Sequence, residues 1–353
     1  MLSLRPDPVL SAMRILVDRH QADLLYAIQR LFEDRLGFEL YITLGHEWWD
    51  EDIWKFGEVF GDDRLAQQYL NIDANWREVE PGLYLTFDPG HPERPLYAVN
   101  LERARGWSWD VVMASVQENQ KGFARFASEV GAKYLYHIGN TRQQVDWGLD
   151  PFALNTAEIL MEGRGVQLCQ EFDHLTTFRY REPTRRDRVV SFVNLLPLIP
   201  ESWGPFAELS KFLPYEFRSF GHECPNGSLH PVAHIADEMS RAGWGYHDKP
   251  TGDGFGHVIH NWAAVGRPLI GHGRYYQGQK AEAFWQDGIT CIDLDKHSAF
   301  EAAQIIQAMP DEQYVGMCRA IRETLERVYD PQTDAWNVYR VLHDEGVAVR
   351  YET

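Results

Sequence analysis

Residues 252–271 read GDGFGHVIHNWAAVGRPLIG, and the order of residue types in this stretch decides the fold. Gly254 and Gly256 let the backbone turn tightly and pass close to a ligand, which a side chain would prevent. The spacing predicts a helix over 255–265, stopped by Gly266. Pro268 then opens a short apolar strand, 268–271, where its missing N–H costs little. A glycine turn leading into a helix presents free N–H groups and the positive end of the helix dipole, a combination that suits a diphosphate.

The same alternation continues in both directions. Upstream, strands at 217–221 and 244–248 flank a helix at 231–241; downstream come a helix at 279–287, a strand at 288–293 and a helix at 297–308. The run VVSFVNL, residues 189–195, opens this half as a strand buried on both faces. It follows a basic, irregular stretch, RYREPTRRDR, that marks a domain boundary, and the arginines there read as a solvated linker. In the first half, MRILV at 13–17 is a buried strand. A helix at 22–36 follows, with Leu24, Leu25, Ile28, Leu31, Phe32 and Leu36 on one face and Gly37 as its stop. A strand at 38–44 comes next, and strands at 110–116 and 133–139 flank a helix at 117–130. Residues 45–106 are rich in Trp, Pro and Gly and read as loops with short elements. The pattern is α/β, two doubly wound Rossmann-like domains in tandem, 1–187 and 188–310. Residues 311–353 form C-terminal helices, with Met317, Ile321, Leu325 and Val328 at helical spacing and a break at Asp330-Pro331.

Composition bounds what such a chain does. With 353 residues it holds about two domains, and it is 44% hydrophobic and 24% charged, an ordinary globular mix. No apolar run approaches the ~20 residues a membrane helix needs. The 34 Lys and Arg against 52 Asp and Glu give a net charge of −18, a field that repels polyanions, so nucleic acid is not the default partner. The four cysteines stand far apart with no CxxC pair, and are expected reduced and buried rather than in a disulfide or zinc site. The opening residues lack a secretory signal pattern, which predicts a cytoplasmic protein.

Residues 253–270 resemble the donor-site signature of GT-B fold glycosyltransferases, EGFGxxxxEAMAxGxPVI. Aligned without a gap, Asp253 stands on the first glutamate and Gly254-Phe255-Gly256 on the glycine turn. Asn261 stands on the second glutamate, and Gly266-Arg267-Pro268 on GxP. Both acids are altered, one to a shorter acid and one to an amide. The resemblance implies the GT-B architecture, two Rossmann-like domains facing a cleft, with C-terminal helices crossing back toward the first domain. It further implies a metal-independent, hexosyltransferase-like transfer from a nucleotide-diphosphate sugar, a UDP-sugar first among them, to a hydroxyl acceptor. It places Asp253 on the donor sugar, Gly254, Phe255 and Gly256 at the phosphates, and Asn261 on the ribose. The stretch VDRHQADLLYAIQRLFEDRLGFELYITLGHEWWDEDIW, residues 17–54, also resembles predicted glycosyltransferases of tailed bacteriophages. That implies a macromolecular acceptor in the host cytoplasm, a hydroxymethylated DNA pyrimidine or a virion protein.

Sugar transfer needs a base or contact near the anomeric carbon and a counter-charge for the departing diphosphate. Candidates belong on loops after strands. His20, Asp18 and Asp23 follow the first strand, and Glu118 follows the strand at 110–116; capping of the next helix is the plainer role of Asp18 and Glu118. For donor binding, Asn194 and His222 end or follow strands of the second half, while Lys249 and Arg274 flank the glycine-rich segment as cations for the diphosphate. For the acceptor, Trp48 and Trp49 offer aromatic faces for sugar stacking, and His137 and Asn140 end or follow the strand at 133–139. His257 with His260, and His230 with His234, stand at metal-ligand spacing on helices but lack a third ligand, so no metal is expected. Two alternatives use the same architecture: a nucleotide-sugar epimerase or hydrolase, and a non-catalytic sugar- or nucleotide-binding protein.

Overall fold

The computed structural model describes residues 13–18, 22–44, 76–87, 91, 93–139, 143–157, 165–250 and 253–347. In chain order, β1 (Met13–Val17) leads to α1 (Ala22–Gln29), which runs on as a π-helical turn over Arg30–Arg35. Then follow β2 (Phe38–Thr43), β3 (Arg77–Glu80), β4 (Leu83–Phe87), β5 (Pro95–Val99), α2 (Leu101–Arg105) and β6 (Val111–Ala114). A 3-10 turn at Gln117–Asn119 enters α3 (Gln120–Val130), and β7 (Lys133–Ile138), β8 (Phe152–Asn155) and β9 (Gly165–Gln167) complete the first sheet. Its order is β3-β4-β5-β2-β1-β6-β7-β8-β9. All neighbours are parallel except β3 with β4 and β4 with β5. Central strands carry unbroken apolar runs because helices cover both faces: Ile15, Leu16 and Val17 are fully buried.

The second half opens with β10 (Arg188–Ser191), followed by α4 (Pro200–Phe212), β11 (Glu216–Ser219), α5 (Val232–Arg241) and β12 (Trp244–Tyr246). Next come α6 (His257–Val265), β13 (Leu269–Gly271), β14 (Cys291–Asp293), α7 (Ala299–Ala308), α8 (Asp311–Val328) and α9 (Pro331–Asp344). The five strands are all parallel in the order β11-β10-β12-β13-β14. Five features differ from the sequence reading. β8 and β9 were not foreseen, because each is shorter than five residues and carries little periodicity. The segment at 76–105 holds the antiparallel strands β3, β4 and β5. Helix α4 forms with Pro200 at its start, where a missing N–H is harmless, and carries Gly204 and Pro205 inside it. The helix expected at 279–287 is a 3-10 segment, Lys280–Phe284. The strand expected from 288 starts only at Cys291, after the turn at Gly288.

The last helix returns to the first sheet. Ala335, Val338 and Leu342, three and four residues apart, are buried in one core with β1 and β2 side chains. Burying Val338 and Leu342 contributes about 1.5–3 kcal/mol each. Helix α8 instead packs on the second half through Met317, Cys318, Ile321 and Leu325. Where the chain passes between halves, the buried Glu171 carboxylate accepts from Arg30 and Arg35 of the first half, and Phe172 N–H donates to Tyr329 Oη at 2.9 Å. All four cysteines are free and buried. Among the described residues, no helix is long and apolar enough to cross a membrane.

Candidate functional site

Parallel strands deliver their side chains and following loops to one edge, so the carboxyl ends of β10 to β14 form a single rim. On that rim, the chain leaving β12 at Tyr246 passes through His247, Asp248 and Lys249 before reaching Asp253. Gly254 and Gly256 then take φ of +55° and +73°, where L side chains are strained. Gly256 N–H donates to the Asp253 carbonyl at 2.9 Å, closing the turn, and Gly256 is the N-cap of α6 with no side chain capping it. A Cβ at Gly256 would lie 2.8 Å from Ala281 Cβ, so the turn is packed as well as bent. Behind it, the His260 ring stacks on Phe255 at 3.8 Å and donates from Nδ1 to the Gly256 carbonyl. Burial pushes the His260 pKa down to about 3, which keeps the ring neutral.

Asp253 is the charged centre of this turn. Its Oδ2 accepts from His247 Nε2 at 3.0 Å, and its Oδ1 is paired with the Lys249 ammonium. Burial alone would raise its pKa; the Lys249 charge and the His247 hydrogen bond outweigh burial and hold it at about 2. The carboxylate is therefore ionised and held from two sides, with one edge of the residue still 16% exposed. Buried atoms nearby that lack a hydrogen-bond partner among the described residues include His247 Nδ1 and Asn261 Oδ1, the latter on α6. Unpaired buried polar groups are costly, and both sit on the segment that frames the glycine turn.

A cavity of about 240 Å³ lies between the two halves. Its first-half wall includes Tyr26 and His91, whose rings stack at 3.9 Å; its second-half wall includes Val232, at the start of α5, and His257. Because His257 is the first residue of α6, cavity and glycine turn share one helix end. Among the described residues, no group of three or more His, Cys, Asp or Glu is gathered for a metal ion.

No protein-family model and no curated protein matches the sequence. Solved structures do match over nearly the whole chain. HepE of Anabaena in complex with UDP and glucose superposes with a TM-score of 0.61 at 12% identity, covering 94% of this chain and 100% of that one. Sucrose-phosphate synthase of Thermosynechococcus elongatus gives 0.60 at 9% identity, covering 94% and 99%. An alpha-glucosyltransferase in complex with UDP and a 13-mer DNA containing a central A:G mismatch gives 0.61 at 8% identity, covering 95% and 100%. The fold is GT-B.

Within this GT-B chain, Asn261 is buried on α6 and the other predicted donor residues fall into three groups. Lys249, Asp253, Gly254 and Gly256 come together in the turn just described. Phe255 belongs to the turn by its backbone only, since its side chain is buried. Asn194 and His222 meet at the ends of β10 and β11, where the Asn194 side-chain oxygen accepts from His222 N–H at 2.9 Å. Arg274 stands apart from Lys249: its guanidinium is paired with Asp295 and donates to Tyr275 Oη at 3.0 Å. On the first half, Asp18 is tied to a distant loop. It is fully buried, and its carboxylate accepts from Ser115 N–H, Val116 N–H and Asn119 Nδ2 at 2.8–3.1 Å, tying β1 to the loop after β6. Burial pushes its pKa up to about 7 against the pull of those donors. His137 is buried within β7 rather than on an open loop. The backbones of Asp23 and Glu118 lie on α1 and the 3-10 turn, and their side chains fall outside the described residues, as do His20, Trp48, Trp49 and Asn140. Sequence reasoning missed His247, Asp248 and His272. Their signal was position alone, an His-Asp pair at one strand end and an His at the next.

Proposed function

We propose that the protein transfers a sugar from a UDP-sugar to a hydroxyl acceptor. The observation that carries this is the ionised Asp253 held by Lys249 and His247 beside the uncapped start of α6, on the strand-end rim of a GT-B fold. The first-turn N–H groups of α6 and the Lys249 ammonium receive the diphosphate. Asp253 accepts from donor-sugar hydroxyls, and Asn261 hydrogen-bonds the ribose. The acceptor enters through the cavity between the halves, past Tyr26 and His91. The phage-like stretch at 17–54 and the DNA-bound neighbour support a macromolecular acceptor, a hydroxymethylated pyrimidine or a virion protein. Transfer needs no metal in this reading, because the departing diphosphate is met by hydrogen-bond donors, the Lys249 ammonium and the backbone amides of α6.

The test is a thermal-shift screen with UDP, GDP, ADP, CMP, dTDP and their sugars, since a ligand that binds only the folded chain raises its melting temperature. A selective UDP shift is expected. Product analysis then follows with UDP-sugars and candidate acceptors, where Asp253→Ala abolishes transfer and keeps the fold. Wild-type transfer in that variant refutes the donor site, while donor consumption without acceptor identifies an epimerase or hydrolase instead.

A further inference from the structure

The structure holds one more built pair of ionisable groups on the same rim. Strands β12 and β13 pair Tyr246 with Ile270, which sets Asp248 opposite His272 just past the strand ends. Asp248 is completely buried. Its carboxylate accepts twice from His272: from the backbone N–H at 3.1 Å, and from ring Nδ1 at 3.0 and 2.9 Å to its two oxygens. The Tyr246 hydroxyl stands 3.2 Å from Oδ2. A buried carboxylate is tolerated only when paired and hydrogen-bonded, and here the ring is its partner. With Nδ1–H committed to Asp248, Nε2 is the nitrogen left for a ligand. The His272 side chain is 12% exposed, so the ring is fixed but reachable.

Its location joins it to the donor turn. Asp248 directly precedes Lys249, whose backbone N–H donates to Tyr276 Oη at 3.2 Å, and Tyr276 lies four residues beyond His272. The His247 ring faces Tyr276 at 5.9 Å. Asp248–His272 and Asp253–Lys249 are thus two hydrogen-bonded pairs in one loop system at the strand ends. Arg274, two residues beyond His272, is engaged by Asp295.

We infer that His272, positioned by Asp248, is a second diphosphate ligand that donates from Nε2 to the departing nucleotide. The inference rests on the UDP-sugar reading above. During transfer the C1–oxygen bond to the β-phosphate breaks and its electron pair passes to that oxygen. The acceptor oxygen forms the new bond to C1, and the acceptor's proton is released to water. The Nε2–H of His272 gives its hydrogen bond to the phosphate oxygen that gains charge. Asp248 acts through His272 as a positioning residue.

Calorimetry with UDP and UMP on the full chain tests this, because the two nucleotides differ only in the β-phosphate. The wild type is expected to prefer UDP. A charge-assisted bond to phosphate is worth about tenfold in affinity, so losing it narrows the preference by that factor. His272→Asn keeps a nitrogen donor toward Asp248 and deletes the outward one; it is expected to melt like the wild type and lose this tenfold. His272→Gln, which restores an outward amide N–H, recovers part of it. Asp248→Asn narrows the preference in the wild-type background and has no further effect on it in His272→Asn, since both act on one bond. An undiminished UDP preference in a folded His272→Asn protein overturns the assignment alone. A wild type that binds neither nucleotide overturns the UDP-sugar reading and this assignment with it.

Discussion

Gly256→Ala is the substitution for which the structure sets the clearest magnitude. Two separate costs act on it. At φ +73° an alanine pays the left-handed penalty of roughly 1–2 kcal/mol. The new Cβ would also stand 2.8 Å from Ala281 Cβ, well inside the ~3.5–4.0 Å of an ordinary carbon contact. Ala281 is fully buried in the 3-10 segment and cannot retreat cheaply, so overpacking adds about 1–3 kcal/mol. Gly288 separates the two costs: it lies in the same half with φ +73° and open space where its Cβ would go. Gly288→Ala therefore loses only the backbone term, and Gly256→Ala is expected to lose about 1–3 kcal/mol more. Urea unfolding of both variants, followed by tryptophan fluorescence, measures the difference. Equal losses within about 0.5 kcal/mol would show that the turn relaxes freely, refuting the argument that packing fixes the start of α6.

Asp253 makes stability depend on acid. Its folded pKa, about 2, lies below the unfolded value of 3.8, so the pair contributes about 2 kcal/mol above pH ~4 and loses it as pH falls toward 2. Lys249→Met removes the main attraction and should flatten that stretch of the stability–pH curve; an unchanged slope between pH 4 and 2 argues that Lys249 does not hold the carboxylate. Arg267 is fully buried, and its guanidinium donates to the carbonyls of Arg181, Ser240, Ala242, Val265 and Gly266. Arg267→Met strands these acceptors, and chemical denaturation should show a loss above about 3 kcal/mol.

The parts of the fold that the sequence makes legible share one physical cause. MRILV at β1 and the runs at β10 and β13 are buried on both faces, and only a parallel sheet covered by helices buries a strand that way. The glycine turn was readable because φ values of +55° and +73° demand the residue type that is printed there. What was not readable depends on contacts between distant residues. Asp18 reads locally as a helix cap, and nothing near it in sequence announces the three donors that the loop after β6, about a hundred residues on, presents to it. Arg274 looks like a free cation until β14 brings Asp295 against it. The tie between Asp248 and His272 exists only because β12 and β13 are neighbours in the sheet, although helix α6 lies between them in sequence.

These pairings bear on how a chain of net charge −18 would hold the diphosphate proposed for it. Arg274 is neutralised by Asp295, and Lys249 is shared with Asp253, so neither brings an unopposed charge to the rim. A site built this way depends less on net cationic charge than on donors already pointed at the ligand: the first-turn N–H groups of α6 and the Nε2 of a ring fixed by a buried carboxylate. Preorganised donors cost little reorganisation when charge develops, whereas long surface cations must be ordered and desolvated first. Surface attraction between free charges weakens with salt as screening grows, but buried, short-range hydrogen bonds are screened much less. UDP affinity should accordingly fall less than threefold between 50 and 500 mM salt, as read by calorimetry. A loss of tenfold or more would mean that the diphosphate is held mainly by exposed cations, and would move the donor site away from the glycine turn.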